Sequence, residues 1–298
     1  MKISLVGICQ VVGMAAYLRK QFPEIEVSSY HVQPTANRSD IVSRLEGSDL
    51  IISQILPDHG MEEFSKDALQ RIAKNVVIIP PLVFSGFHPD MIIIPHRGAP
   101  LNSPIEVYHS RIIAAAYTLG LPDTQAANIA NALMFDRLGY FHHFNAAKEV
   151  FFEMLRPYQL EEFARSRWDD WIARGAFMHT PNHPNVAILG EFALHAAKTV
   201  GLEPGTPIEG AIDDIFDDQH GCPVYPEIAR YLGVQGAFSF RTYKRASNSE
   251  AERYMDIHRF AKNAYQIYRS LERDELLVDS SIRFARKVIQ DLISDSRS

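Results

Sequence analysis

Cysteine is nearly absent from this chain: 298 residues carry only Cys9 and Cys222. Two are too few for the disulfide framework of a small secreted domain and point to a reducing compartment. No stretch approaches the roughly 18 to 20 consecutive apolar residues of a membrane span, which excludes stable membrane insertion. Basic excess is lacking too: 30 Lys and Arg face 36 Asp and Glu, a formal charge of -6. A general nucleic-acid or anionic-membrane surface is therefore not expected, although a local basic pocket for a phosphorylated ligand is compatible with that total. Internal repeats and low-complexity segments are missing as well. What is present, 46% hydrophobic and 22% charged residues, is ordinary for a cytoplasmic globular protein of one or two domains.

The opening MKISLVGICQVVGMAA has the lysine, apolar stretch and small residues of a short leader. Arg19 and Lys20 follow at once on a helical face, and Gly7 and Gly13 sit where a strand-to-helix turn uses them, so a βα unit is the expected reading. Residues 2 to 8 form a continuous apolar strand, and Val11, Met14, Ala15, Leu18 and Phe22 recur at helical spacing. The pattern repeats. Glu26 to Val32 reads as a strand, Ser39 to Glu46 as a helix opened by a capping serine, and 49 to 56 (DLIISQIL) as a buried strand. A helix is expected at about 61 to 74, followed by Val76 to Ile79, apolar enough for the middle of a parallel sheet. The fold class is α/β, an N-terminal doubly wound, mainly parallel sheet with a mainly helical C-terminal part. Domains are expected at 1–104 and 105–298, because after about residue 105 DTQAANIANALMF, NAAKEVFFEMLRPY, LEEFARSRWDDWIARG and residues 250 to 292 all read as helices.

Ligands of doubly wound sheets bind beyond the carboxyl ends of the strands. Cys9-Gln10, His31, Ser53-Gln54 and Phe84 to Asp90 all fall there. Cys9 is either a small buried hydrophobe or, at the start of a helix that favours the thiolate, a nucleophile. The same helix start suits a phosphate or an oxyanion, with Gly7 in the turn and Gly13 permitting close approach. GICQVVG is no Walker loop, because Met14 and Ala15 follow its second glycine. His31 and His88 are candidate bases, with Asp90 as the group that orients His88; each also has a reading as a satisfied structural residue. Gln10, Ser53 and Gln54 are candidate oxyanion or substrate donors, and Phe84 and Gly86 candidate cofactor contacts. The loop carrying Asn182 and His183 is a further substrate-binding candidate. His179 and His183 do not make a zinc pair, since Pro181 keeps them off one helix face, and no metal is expected. Asp213 to Asp218 resembles the acidic motif of prenyl-diphosphate enzymes, but those are all-helical, and a solvated acidic face is the expectation.

Together GICQ at 7–10, SQ at 53–54, FSGFHPD at 84–90 and NHP at 182–184 resemble the WcbI-type polysaccharide biosynthesis family. The resemblance implies an acetyltransferase that binds coenzyme A, with Cys9 at the family's cysteine and a nearby histidine as its catalytic partner. Ile8 departs from the asparagine of the family's usual GNCQ. The implied reaction moves an acetyl group from acetyl-coenzyme A to a hydroxyl of a sugar or glycan acceptor. Cys9 either carries the acetyl group or a histidine activates the hydroxyl for direct attack. A hydrolase on the same rim and a non-catalytic coenzyme A or nucleotide binder are the competing classes. Arg19, Lys20, Arg97 and Arg111 are the cations considered for the coenzyme's phosphates.

Overall fold

Ile3, Leu5, Leu50, Ile51 and Ile52 are wholly buried, as expected of strands covered on both faces. The structure, a computed structural model, describes all residues except 56–59, 205–211, 245–246, 248 and 296–298. Four parallel strands form the sheet: β1 (Lys2–Gly7), β2 (Glu26–His31), β3 (Ser48–Ser53) and β4 (Ala73–Ile78), in the order β2-β1-β3-β4. The crossovers carry α1 (Gln10–Gln21), α2 (Arg38–Leu45) and the short α3 (Lys66–Gln70). With order 2-1-3-4, right-handed crossovers put α1 on one face and α2 and α3 on the other. The second face is packed by Val6, Ile41, Leu45, Ile51, Ile55, Phe64 and Leu69.

The longer helices beyond the sheet are α4 (Arg111–Thr118), α5 (Tyr140–Leu155), α6 (Glu161–Ala173), α7 (Val186–Thr199), α8 (Ile257–Tyr268) and α9 (Ser280–Asp295). The expected α/β class holds, with helices dominating the C-terminal part. Among the described residues no helix is long and apolar enough to cross a membrane.

Several boundaries differ from the sequence reading for identifiable reasons. Asn37, not Ser39, caps α2: its Oδ1 accepts from the Asp40 amide at 3.3 Å and from the Ser39 hydroxyl at 2.9 Å. The helix expected at 61 to 74 stops after α3, because Ala73 already pairs with Ser48 in the sheet. Residues 123 to 135 hold two short helices, since the Asn131 side chain accepts from the Leu133 and Met134 amides and starts a new one. β4 lies at the sheet's edge rather than in its middle. Leu56 and most of the expected frayed end at 294–298 lie outside the described residues.

The chain forms two compact units. One comprises Met1–Val83, Val150–Phe177 and Asn182–Phe216; the other comprises Phe84–Glu149, Met178–Pro181 and Asp217–Ser298. The grouping does not follow a single cut at 104, because α7 packs with the sheet's own helix α1. A Cβ on Gly13 would lie 2.9 Å from Leu189 Cδ1, and one on Gly190 would overlap the Tyr17 ring. Small residues at these two positions let α1 and α7 approach closely. In the second unit, Met91–Ile93 pairs antiparallel with Tyr108–Ser110, and Ser239–Arg241 with Tyr254–Asp256.

Candidate active site

Cys9 follows the last residues of β1 and immediately precedes α1, whose first turn is tied down by Val11 N–H to Ile8 O (3.1 Å) and Val12 N–H to Cys9 O (3.2 Å). Its half-buried Sγ lies 3.0 Å from Nε2 of His183. His183 stands in the short strand His183–Pro184, just ahead of α7. That helix begins on two caps. Asn185 Oδ1 accepts from the Ile188 amide at 3.0 Å, and Asp214 Oδ2 accepts from the Val186 amide at 3.3 Å. Phe216 lies against the imidazole with ring centroids 5.6 Å apart.

The chain around this pair is drawn together by one side chain. Gln10, wholly buried, donates from Nε2 to Leu82 O (2.9 Å) and Asn182 O (2.8 Å). Its Oε1 accepts from Leu82 N–H (3.0 Å) and from Gln54 Nε2 (2.9 Å). Both amide protons and both acceptor directions are spent, which also fixes the orientation of the amide group. Gln54 is buried as well; its Nε2 leans on Gln10 and on Pro80 O at 3.5 Å, and its Oε1 has no partner among the described residues. Gly7 leaves room for this arrangement, since a Cβ there would lie 2.6 Å from Gln54 Cβ. The two glutamines expected as oxyanion donors therefore hold the site together, with the N–H groups of Gln10 directed at backbone carbonyls and Gln54 donating to the Gln10 side chain. Ser53 is likewise buried, its Oγ accepting from the Ile55 amide at 3.1 Å.

The remaining sequence candidates fall elsewhere. His31 ends β2 on the surface, with Gln33 Nε2 3.5 Å from its Nδ1; partial burial lowers its pKa. His88 and Asp90 do not form the expected oriented base. The His88 ring, 2% exposed, sits between Pro223 O and Met178 O at 3.1 Å each, and burial lowers its pKa to about 4. The Asp90 carboxylate, 1% exposed, accepts from the hydroxyls of Tyr140 and Tyr225, both at 2.8 Å, and from the Ile112 amide at 3.1 Å. This is how a buried charge is satisfied inside a core. Phe84, expected near a cofactor, packs edge-on against Phe87 and Phe144, and a Cβ on Gly86 would overlap its ring. Gly13 serves the α1–α7 approach and abuts Phe216.

The acidic run is bound into the fold: Asp214 caps α7 and accepts from the Phe216 amide, while Asp217 pairs with Arg241 and Asp218 with Lys244. Among the described residues there is no cluster of His, Cys, Asp and Glu able to hold a metal ion. Of the cations considered for phosphates, Arg19 donates to Val27 O and lies nine residues along α1 from Gln10, about 14 Å away. Arg97 pairs with Glu275, and Arg111 stacks on Tyr140 with its Nε buried and without a hydrogen-bond partner among the described residues.

Compared with known proteins, residues 2–205 match the model of the family described as polysaccharide biosynthesis enzyme WcbI. The chain belongs to the WcbI family. A search of curated proteins gives no match. A solved structure of WcbI, described as a polysaccharide biosynthesis enzyme, is similar over 97% of this chain and 98% of its own, with a TM-score of 0.64 and 15% identity. It represents the native protein without a disulfide bond between coenzyme A and one of its cysteines. At that identity the likeness establishes the fold. The family match covers Cys9 and His183 and the residues that clamp them, whereas most of the second unit lies beyond it.

Proposed function

We propose that this enzyme transfers an acyl group, acetyl in the simplest case, from a coenzyme A thioester to a hydroxyl of a capsular or other surface-polysaccharide sugar. The observation that carries the proposal is the 3.0 Å approach of Cys9 Sγ to His183 Nε2 at the head of α1. A thiol with a proton acceptor in hydrogen-bond reach is the arrangement of an activated nucleophile. Membership of a polysaccharide biosynthesis family supports a sugar acceptor, and the fold relative, a WcbI solved as the native protein without a disulfide bond between coenzyme A and one of its cysteines, supports coenzyme A as the donor's carrier.

In this reading Cys9 gives its proton to His183 and attacks the thioester carbonyl. The coenzyme A thiolate leaves and takes the proton back from the imidazolium, so the acyl group rests on Cys9. The sugar hydroxyl then loses its proton to His183 as its oxygen attacks the acyl-cysteine. The Cys9 thiolate leaves and is reprotonated from the imidazolium. With Gln10 and Gln54 occupied, the oxyanion donor assigned here is the backbone amide of Gln10, the residue after the nucleophile, at the positive end of α1. His183 takes the base role for which His31 and His88 were the candidates.

Intact mass spectrometry after incubation with acetyl-coenzyme A tests this, alongside transfer assays on polysaccharide fragments. An acetyl adduct absent from Cys9→Ser, and transfer lost in both Cys9→Ser and His183→Asn, are expected. Transfer that needs His183 but survives Cys9→Ser favours direct attack. Release of coenzyme A with water as the better acceptor makes the enzyme a hydrolase, and coenzyme binding without any turnover makes the protein a binder.

A further inference from the structure

Arg111, the first residue of α4, is a half-buried cation with no anion beside it. Its guanidinium makes no ion pair and no hydrogen bond among the described residues, and its Nε is buried. The group lies over the Tyr140 ring, 5.6 Å from the centroid, which holds the plane of its N–H donors in place. Asp90 does not claim it. That carboxylate already accepts from Tyr140, Tyr225 and the Ile112 amide, and forms no ion pair with Arg111. An arginine drawn partly out of water is ordinarily paired, so unused donors here point to an anion supplied by a ligand.

A neutral pair stands next to it. His143 is three residues from Tyr140 on α5, so the two rings share one side of the helix. Its Nε2 is 2.9 Å from Ser85 Oγ, and both residues are half-buried. Phe144 fixes that meeting by packing against Phe84 at 5.3 Å and Phe87 at 5.4 Å, the rings on either side of Ser85 and Gly86. Burial, and after it the Arg111 charge, lowers the His143 pKa, so the imidazole is neutral at pH 7. If Ser85 donates to Nε2, the ring carries its proton on Nδ1, which has no partner among the described residues; if Nε2–H donates to Ser85, the hydroxyl proton is free. In either tautomer the pair keeps one proton for a ligand. As a nucleophile and base it is poorly set, because among the described residues no carboxylate orients the ring and the nearby guanidinium disfavours the imidazolium a base must become.

We propose that Arg111, His143 and Ser85 bind the phosphate of a phosphorylated sugar, the acceptor of the acyl group. The proposal rests on the acyl-transfer reading above and names the substrate class within it. The guanidinium fork supplies the charge and two parallel hydrogen bonds, and the Ser85–His143 pair supplies a third donor, a set that suits the three oxygens of one terminal phosphate. A single cation with neutral donors does not match the three phosphates of coenzyme A. Phe84 N–H donates to Pro181 O at 2.7 Å, so the segment that carries Ser85 is fastened to the chain two residues before His183. The sugar hydroxyl is then acylated on a phosphorylated precursor and not on a finished neutral glycan.

The test follows the histidine ring resonances of the full chain by nuclear magnetic resonance during titration with inorganic phosphate and glucose 1-phosphate, the His143 signal being assigned by its loss in His143→Gln. Glucose, glucuronate and coenzyme A are the controls. A saturable shift of the His143 signal is expected with both phosphates and not with glucose, with affinity reduced about tenfold in Arg111→Gln and partly restored in Arg111→Lys. Ser85→Ala removes only a half-buried hydroxyl and should weaken binding about threefold, which decides the matter if Arg111→Gln does not fold. No saturable shift, or unchanged affinity in these variants, overturns the assignment. Equal affinity for glucuronate overturns the phosphate as the group recognised, and displacement of phosphate by equimolar coenzyme A makes the coenzyme the occupant. An acetyl adduct on Cys9 in a protein that ignores both phosphates removes this inference alone. With neither adduct nor transfer, bound phosphate no longer marks an acceptor, and the inference falls with the reading it rests on.

Discussion

Cys9 and His183 are 174 residues apart in sequence, and their side chains meet at 3.0 Å. The other thiol, Cys222, is pushed well above its ordinary pKa by burial. A thiol next to an imidazole reacts through its thiolate, and one held protonated does not. Iodoacetamide at neutral pH is therefore expected to add once, at Cys9. His183→Asn should slow that alkylation at least tenfold while Cys222 stays unmodified. Peptide mapping checks this, and a first adduct on Cys222 contradicts it.

Gln10 makes four hydrogen bonds, and their loss is predicted to be costly in a specific way. Gln10→Ala removes its bonds to the Leu82 amide and carbonyl, the Asn182 carbonyl and the Gln54 amide in a buried setting, a loss of roughly 3 to 5 kcal/mol. Gln10→Glu keeps the shape but replaces a donor of two protons with an acceptor facing two carbonyls. Both substitutions should lower the urea midpoint, and surviving folded protein should show slower Cys9 alkylation, because Asn182 precedes His183. Wild-type alkylation rates in folded Gln10→Ala would show that the clamp does not position the pair.

How far the sequence carries toward this site depends on the range of the interaction. β1 and β3 are legible because continuous apolar runs mean strands buried on both faces. Cys9 is legible because a strand exit followed by helical spacing places it at a helix start. Strand order is a long-range property, so nothing in VVI marks β4 as an edge. The same holds for His183, whose loop carries no local sign that it returns to the first βα turn. His88 and Asp90 mislead for the opposite reason: they are neighbours in sequence, but Tyr140 and Tyr225, remote in the chain, claim the carboxylate. Gln10 and Gln54 present donors to any local reading, and only the fold shows those donors already spent.

The glycines at helix contacts give a steric prediction. A methyl group on Gly190 would overlap the Tyr17 ring, and one on Gly86 would overlap Phe84. Gly190→Ala must push α7 away from α1, and α7 follows directly on the segment that carries His183. Overpacking of this kind costs about 1 to 3 kcal/mol. The expected result is a lower melting temperature together with slowed Cys9 alkylation. Gly190→Ala with Tyr17→Ala should recover part of both. No recovery in the double variant would place the cost somewhere other than the Tyr17 contact.

His109 sets a pH dependence for stability. It is wholly buried, accepts from the Tyr268 hydroxyl at Nδ1 (2.8 Å) and donates from Nε2 to Leu101 O (3.0 Å), a full set of bonds for the neutral ring. Burial lowers its pKa from 6.5 to about 4, against the opposing pull of the Leu101 carbonyl. Between those values the unfolded chain binds a proton that the folded chain refuses, so stability falls as the pH drops below 6.5 and levels off near 4. For this one residue the loss is about 2 kcal/mol at pH 5. His88 acts in the same direction, so the two histidines must be separated by substitution. A glutamine at 109 presents an acceptor and a donor without titrating. His109→Gln should therefore show a shallower decline in unfolding free energy between pH 7 and about 4.5 than the wild type, measured by urea denaturation at each pH. Parallel curves would mean that His109 is already protonated in the folded state and that its bond to Tyr268 runs the other way.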